Sequence, residues 1–188
     1  MTLSLSQDRD ADALLDRDPL ALLVAMLLDQ QVPMERAFAA PYELTQRLGH
    51  DLDAGELADH DPESLADLFA RPPALHRYPR AMAGRVQKLC LALVERHDGD
   101  VTGLWRDVAD ARELLRRLVA LPGYGKQKAQ IFVALLGKQR GVTPSGWREV
   151  AGSYGEQGVY RSVADVVDER TLEQVRAYKK QLKAAPTA

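Results

Sequence analysis

Residues 120–137 read "ALPGYGKQKAQIFVALLG". The chemistry lies in its turn, where Gly123 and Gly125 flank Tyr124 and where Lys126 and Lys128 open an apolar, helix-like run. Glycine permits positive φ and lets another molecule approach bare backbone. The amides of Gly123 to Lys126 stand at the start of the second helix, where the first N–H groups have no internal acceptor. Those donors, together with the positive end of the helix dipole, make an anion site. The two lysines add charge beside it. A phosphate held this way fixes a nucleic-acid backbone without reading its sequence. The same letters also fit an ordinary interhelical turn, since Pro-Gly and Gly-Tyr-Gly are common loop residues. The anion reading rests on the combination: Leu121-Pro122 ahead of the glycines, lysine behind them, and helices on both sides.

The charge distribution agrees with that combination. Residues 1–70 carry 4 Lys/Arg against 15 Asp/Glu, residues 71–140 carry 14 against 6, and residues 141–188 carry 7 against 6. The net charge of −2 hides a basic middle segment that contains the turn. Such clustering suits a polyanion partner; solvated helix faces are the plainer explanation.

The elements that must position the turn are helical. Ala, Leu, Arg and Glu are plentiful and strand-forming runs are scarce. Asp18-Pro19 predicts an N-cap and a first helical residue. The following "LALLVAMLLDQQ" is apolar all round and predicts a central, buried helix. In "PMERAFAAPYELTQRLG", Ala37, Phe38, Leu44 and Leu48 share helical spacing, Pro41 should break or kink the helix, and Gly49 should end it. "DPESLADLFA" repeats the Asp-Pro start, with Glu63 in its first turn, and "RPPALHRYP" reads as a loop. Met82, Val86, Leu89, Leu93 and Val94 make the apolar stripe of a helix with a basic face. "DARELLRRLVA" is a short helix before the turn. From Lys138 to Val159 the pattern dissolves into loop or short turns. "DERTLEQVRAYKKQLKA" closes the sequence as an amphipathic helix, with Leu172, Val175, Tyr178 and Leu182 in phase. The fold class expected is all-α, with about nine or ten helices. The acidic N-terminus lacks the basic-then-apolar order of a signal peptide, and no apolar run approaches a bilayer span, so a soluble cytoplasmic protein is expected. One cysteine, Cys90, excludes a disulfide framework and a multi-cysteine iron–sulfur or zinc site.

"LPGYGKQKA" resembles the helix-hairpin-helix motif of the HhH-GPD superfamily, the endonuclease III-like base excision repair glycosylases. "DPLALLVAMLLDQQV" looks like that family's opening helix, which ends in a Gln-containing turn. "RYPRAMAGRVQKLCLALVERHDGDV" looks like the helix that precedes the hairpin. The resemblance runs over residues 18–140, with the hairpin at 110–137. It implies one unit over residues 1–188: two helical lobes, a cleft between them, and residues 141–188 as an irregular loop plus a C-terminal helix packing back on the N-terminal lobe. The implied partner is double-stranded DNA, held by its phosphate backbone, with a target base extruded into a pocket.

Carried across residue by residue, Leu121, Gly123, Tyr124, Gly125, Lys126 and Lys128 form the DNA-binding hairpin. Gln31 matches a glutamine that in some relatives fills the gap left by the flipped base; it could equally be a polar helix-end residue. Lyase-type members carry a lysine two residues after the second hairpin glycine, and its amine attacks the sugar C1′. Gln127 stands there, and an amide is no such nucleophile, so Schiff-base lyase chemistry is disfavoured. The family aspartate expected about eighteen residues further on, which stabilises charge on the sugar or activates water, has no counterpart in "GKQRGVTPSGWREV". The candidates to replace it are Asp165, Asp168 and Glu149; the two aspartates also suit the solvated start of the last helix. The irregular loop supplies Trp147, Tyr154 and Tyr160, which either stack on an extruded base or cap the core. Tyr124 either packs inward or touches the sugar. His50, His60, His76 and His97 are too scattered for a metal site and read as surface residues; no metal or cofactor is expected. Two functions follow: a monofunctional glycosylase working with an unusual carboxylate, or a non-catalytic DNA-binding module that has lost its aspartate.

Overall fold

A computed structural model describes residues 3–184 of the chain. Among the described residues there is no strand; ten α-helices are joined by short turns. They are α1 (Arg9–Arg17), α2 (Pro19–Leu28), α3 (Met34–Leu48), α4 (Ala54–Asp59), α5 (Pro62–Ala70), α6 (Pro79–His97), α7 (Ala111–Val119), α8 (Lys126–Gln139), α9 (Trp147–Ala151) and α10 (Glu169–Ala184). Short 3-10 turns lie at Val101–Leu104, Gly152–Tyr154 and Val163–Asp165. The all-α class expected from composition is what the chain adopts.

Aspartate caps the start of several of these helices. Asp8, Asp18, Asp53, Asp61 and Asp110 each accept backbone N–H groups of the helix they precede, at α1, α2, α4, α5 and α7. Each such cap contributes about 1 kcal/mol by pairing donors that have no partner inside the helix. Four of the 15 acidic residues among the first 70 thus serve helix starts. α2 is apolar on every face, and Leu20 through Leu28 are all buried. It packs on α3 and α6 and forms the axis of one continuous apolar core. α4 and α5 pack on α6, while α8 gathers α7, α9 and the 163–165 turn.

Four local expectations need correction. Pro41 lies inside α3, buried, and the helix runs through it. The loss of one N–H bond is outweighed by the apolar face formed by Ala37, Phe38, Ala40 and Leu44. α1 and α4 were not evident in the periodicity. In α10, Leu172 and Val175 are buried but Leu182 is 58% exposed, so the apolar stripe fails in the last turns. His76 is buried, not a surface residue. Gly49 does end α3, with φ +85°.

Candidate functional site

The hairpin turn between α7 and α8 is pinned from inside. Leu121 and Tyr124 are buried, and the Tyr124 hydroxyl donates to the Leu23 carbonyl of α2 at 2.6 Å. Its ring meets Phe132 edge-on, with centroids 6.0 Å apart. Burial raises the phenol well above its ordinary range. Tyr124 therefore packs inward, and both residues can offer a ligand only their backbone. Gly123 has φ +83°, and a Cβ there would lie 2.4 Å from Leu27 Cδ1. Glycine is thus a requirement of the fold at that position.

Gly125 is different. Its φ is −68°, an ordinary value, and a Cβ would meet nothing within 4 Å. It is the N-cap of α8, yet no side chain caps this helix. The first backbone bond of α8 runs from Ala129 N–H to Gly125 O. The amides of Lys126, Gln127 and Lys128 therefore face outward with no protein acceptor, and Lys126 stands exposed beside them. Helices α3, α6 and α9 likewise lack a side-chain cap, so what marks α8 is its bare Gly125 and the neighbouring Lys126, an arrangement that suits an anion.

Opposite the hairpin, α2 ends without a glycine. Donors from elsewhere take its last carbonyls. Lys128 Nζ donates to Met26 O at 2.7 Å and to Leu27 O at 2.8 Å. His76 Nε2 donates to Gln30 O at 2.9 Å and Leu28 O at 3.2 Å, while its Nδ1 accepts from the Tyr78 N–H at 3.0 Å. These partners fix one neutral tautomer, and burial holds the imidazole below its ordinary pKa. Arg85 donates to Gln30 Oε1 at 2.9 Å. So braced, the turn Asp29-Gln30-Gln31 keeps Gln31 at φ +58°, a conformation that costs a non-glycine residue about 1–2 kcal/mol.

The two halves face each other across an open cleft of about 760 Å³. Gln31, Gln127 and Lys128 line it, with Arg77, Lys179 and Lys183 as further cations. The cleft brings together Gln31 and the lyase position Gln127, which sequence places far apart. Gln127 is exposed and donates to the Tyr154 hydroxyl at 2.7 Å, which brings Tyr154 to the edge of the site. Lys128 was expected beside the phosphate; its ammonium instead lies on the carbonyl end of α2. There burial pushes its pKa down to about 8, against the opposing pull of Asp29.

Asp29 was missed by sequence reasoning. It is partly buried, lines the cleft, and also lines an adjoining recess of about 330 Å³, where Val32, Leu172 and Val175 stand among four cations and Glu35. Burial raises its pKa, with Lys179 and then Lys128 pulling the other way. The available signal was an acid at the C-terminal end of an all-apolar helix, where the dipole disfavours negative charge.

The other acids lie elsewhere. Asp165 pairs with Lys138 at 2.5 Å and accepts the N–H groups of Arg161 and Ser162 in a capping box. Lys138 lies eleven residues beyond Gln127 on α8, about 16 Å along the axis. Asp168 accepts from Thr171 N–H at 2.7 Å, and this N–H, followed by the Thr171 hydroxyl, holds its carboxyl below the ordinary range. Glu149 is exposed on α9. Trp147 is buried against Gly137, where a Cβ would come within 2.4 Å of the ring, and Arg148 stacks on its other side. Tyr160 packs partly buried against the core, near the far end of α8.

A comparison with protein-family profiles matches the HhH-GPD superfamily base excision DNA repair protein over residues 24–187. The chain belongs to the HhH-GPD superfamily. The match spans the second half of α2, the hairpin and α10, so all the walls of the cleft fall within it. Comparisons with curated proteins and with solved structures return no match. Members of this superfamily act on DNA in base excision repair, and no helix among the described residues is long and apolar enough to cross a membrane.

Proposed function

We propose that the protein is a monofunctional DNA glycosylase that hydrolyses the bond between a damaged base and its sugar. The backbone amides of Lys126, Gln127 and Lys128 hold a phosphate of double-stranded DNA, with the Lys126 side chain adding charge. Gln31 enters the gap left by the extruded base, and Arg77, Lys179 and Lys183 draw the strand into the cleft. The reaction takes place on DNA in the cytoplasm. One observation carries the reading. The uncapped N-terminus of α8, Gln31 and the amide of Gln127 border one cation-lined space, in a chain of a base excision repair superfamily. An amide at the lyase position forms no Schiff base, so water is the nucleophile.

A second reading has its own support. Asp165 and Asp168 are both spent on capping, which suits a DNA-binding module without chemistry. Duplexes that each hold one damaged base, assayed for abasic sites, separate the two. Release from at least one lesion is expected. Binding of every duplex with release from none would sink the glycosylase reading.

A further inference from the structure

The cleft-facing part of the structure holds a carboxylate that the family pattern does not assign. Among the residues lining the cleft, Asp29 is the sole acid. It also lines the recess next to the cleft, whose other acid, Glu35, is paired with Arg176, so Asp29 stands at the lip the two spaces share. An N-glycosidic bond has the same disposition, since the extruded base enters a recess while its sugar stays in the groove with the backbone.

Three further observations separate Asp29 from a structural acid. Among the described residues its carboxylate accepts no hydrogen bond and makes no ion pair, although most other acids here cap a helix or pair with a cation. It is the C-cap residue of α2, at the negative end of the dipole, where a carboxylate works against the helix. Its backbone, unlike its side chain, is rigidly held, because Lys128 and His76 brace the carbonyls on either side. A braced, partly buried carboxylate without a hydrogen-bond or ion-pair partner stands at a cost to the fold and is free to meet a ligand.

We propose that Asp29 is the catalytic carboxylate of the glycosylase reaction; this rests on the glycosylase reading above. The C1′–N bond breaks with its electron pair leaving on the base. Asp29 offsets the positive charge that develops on the sugar. A water oxygen then bonds to C1′ and gives a proton to Asp29, which returns it to solvent, while the departing base takes one up. Water is divided between sugar and base, and no other reactant is needed.

The test compares wild type with Asp29→Asn and Asp29→Glu on a released lesion, alongside duplex binding and thermal unfolding. Asp29→Asn is expected to slow base release by 100-fold or more. Its duplex Kd should stay within about 3-fold, and its Tm should equal or exceed that of wild type. Asp29→Glu should recover part of the rate. Base release by Asp29→Asn within 3-fold of wild type overturns the role of Asp29 and leaves the glycosylase reading standing. A Tm lowered by several degrees in Asp29→Asn makes the residue structural and overturns the role as well. Absence of release by wild type on every lesion overturns both together.

Discussion

Gly125→Asp separates the fold of the hairpin from its grip on DNA. Gly125 already has the extended geometry of an N-cap, with φ −68° and ψ 166°, and a Cβ there meets nothing within 4 Å. An aspartate can therefore adopt the native backbone and accept from the amides of Gln127 or Lys128, as Asp110 does from Arg112 and Glu113 at 2.9 and 3.0 Å. Aspartate exceeds glycine at an N-cap by a few tenths of a kcal/mol, and its charge at the dipole adds about 0.3–1 kcal/mol, so the fold should gain about 0.5–1 kcal/mol. The same carboxylate occupies the place of the phosphate. Loss of even one charge-assisted hydrogen bond, at about 1.5–3 kcal/mol, should raise Kd roughly 10- to 150-fold. Fluorescence anisotropy on an undamaged duplex at several salt concentrations, with urea unfolding in parallel, reads both. The salt slope should fall by about 0.9 for each phosphate released. A variant that is as stable as wild type and binds as tightly would refute the phosphate clamp. Gly123 cannot serve this purpose, because its positive φ and the nearby Leu27 make any replacement a folding mutation.

Two other perturbations probe the cleft. Gln127→Lys restores an amine at the lyase position. With DNA containing an abasic site and borohydride, it should give a trapped covalent adduct that wild type does not, and abasic DNA bound without trapping would place the sugar elsewhere. Lys128→Met removes an ammonium whose pKa is held at about 8, against an ordinary 10.5. The unfolded chain binds more protons at this residue between those values, so its contribution to stability rises with pH across that window. The stability of wild type relative to Lys128→Met should grow by up to about 3 kcal/mol between pH 8 and pH 10.5. Urea unfolding of both proteins across that range checks it, and a pH-independent difference refutes the burial of that charge.

The fold was legible where a local rule acted alone. Asp18-Pro19 started a helix because its cap and its fixed φ act within one turn, and Gly49 ended one because it alone takes φ +85° without strain. α2 was legible because an all-apolar helix has nowhere to lie but inside. Pro41 misled because the rule for proline counts one lost hydrogen bond and cannot count the apolar face that α3 buries around it. The short α4 escaped because its six residues cover fewer than two turns, too few to repeat an apolar spacing.

The site divided along the same line. The glycine turn and Gln127 were readable as positions in a contiguous motif. Gly123 and Gly125 looked alike in sequence, yet one is glycine for Leu27 and the other has no neighbour to require it. Only packing across the chain shows that difference. Lys128 read as a cation for DNA, and its amine lies on carbonyls about a hundred residues away in the chain. The same packing explains why Asp29 was overlooked. A search for the missing acid runs downstream of the hairpin, where the family pattern puts it. The structure closes the hairpin onto the end of α2, so the space above Gln127 is reached from upstream. Asp29 occupies the one wall of that space whose backbone Lys128 and His76 hold in place, and burial costs its carboxylate more than Lys179 and Lys128 return. If Asp29 had only to end the helix, asparagine or glycine would do so with less strain against the dipole. Its presence is better explained by a charge that forms in the cleft than by one that the folded chain contains.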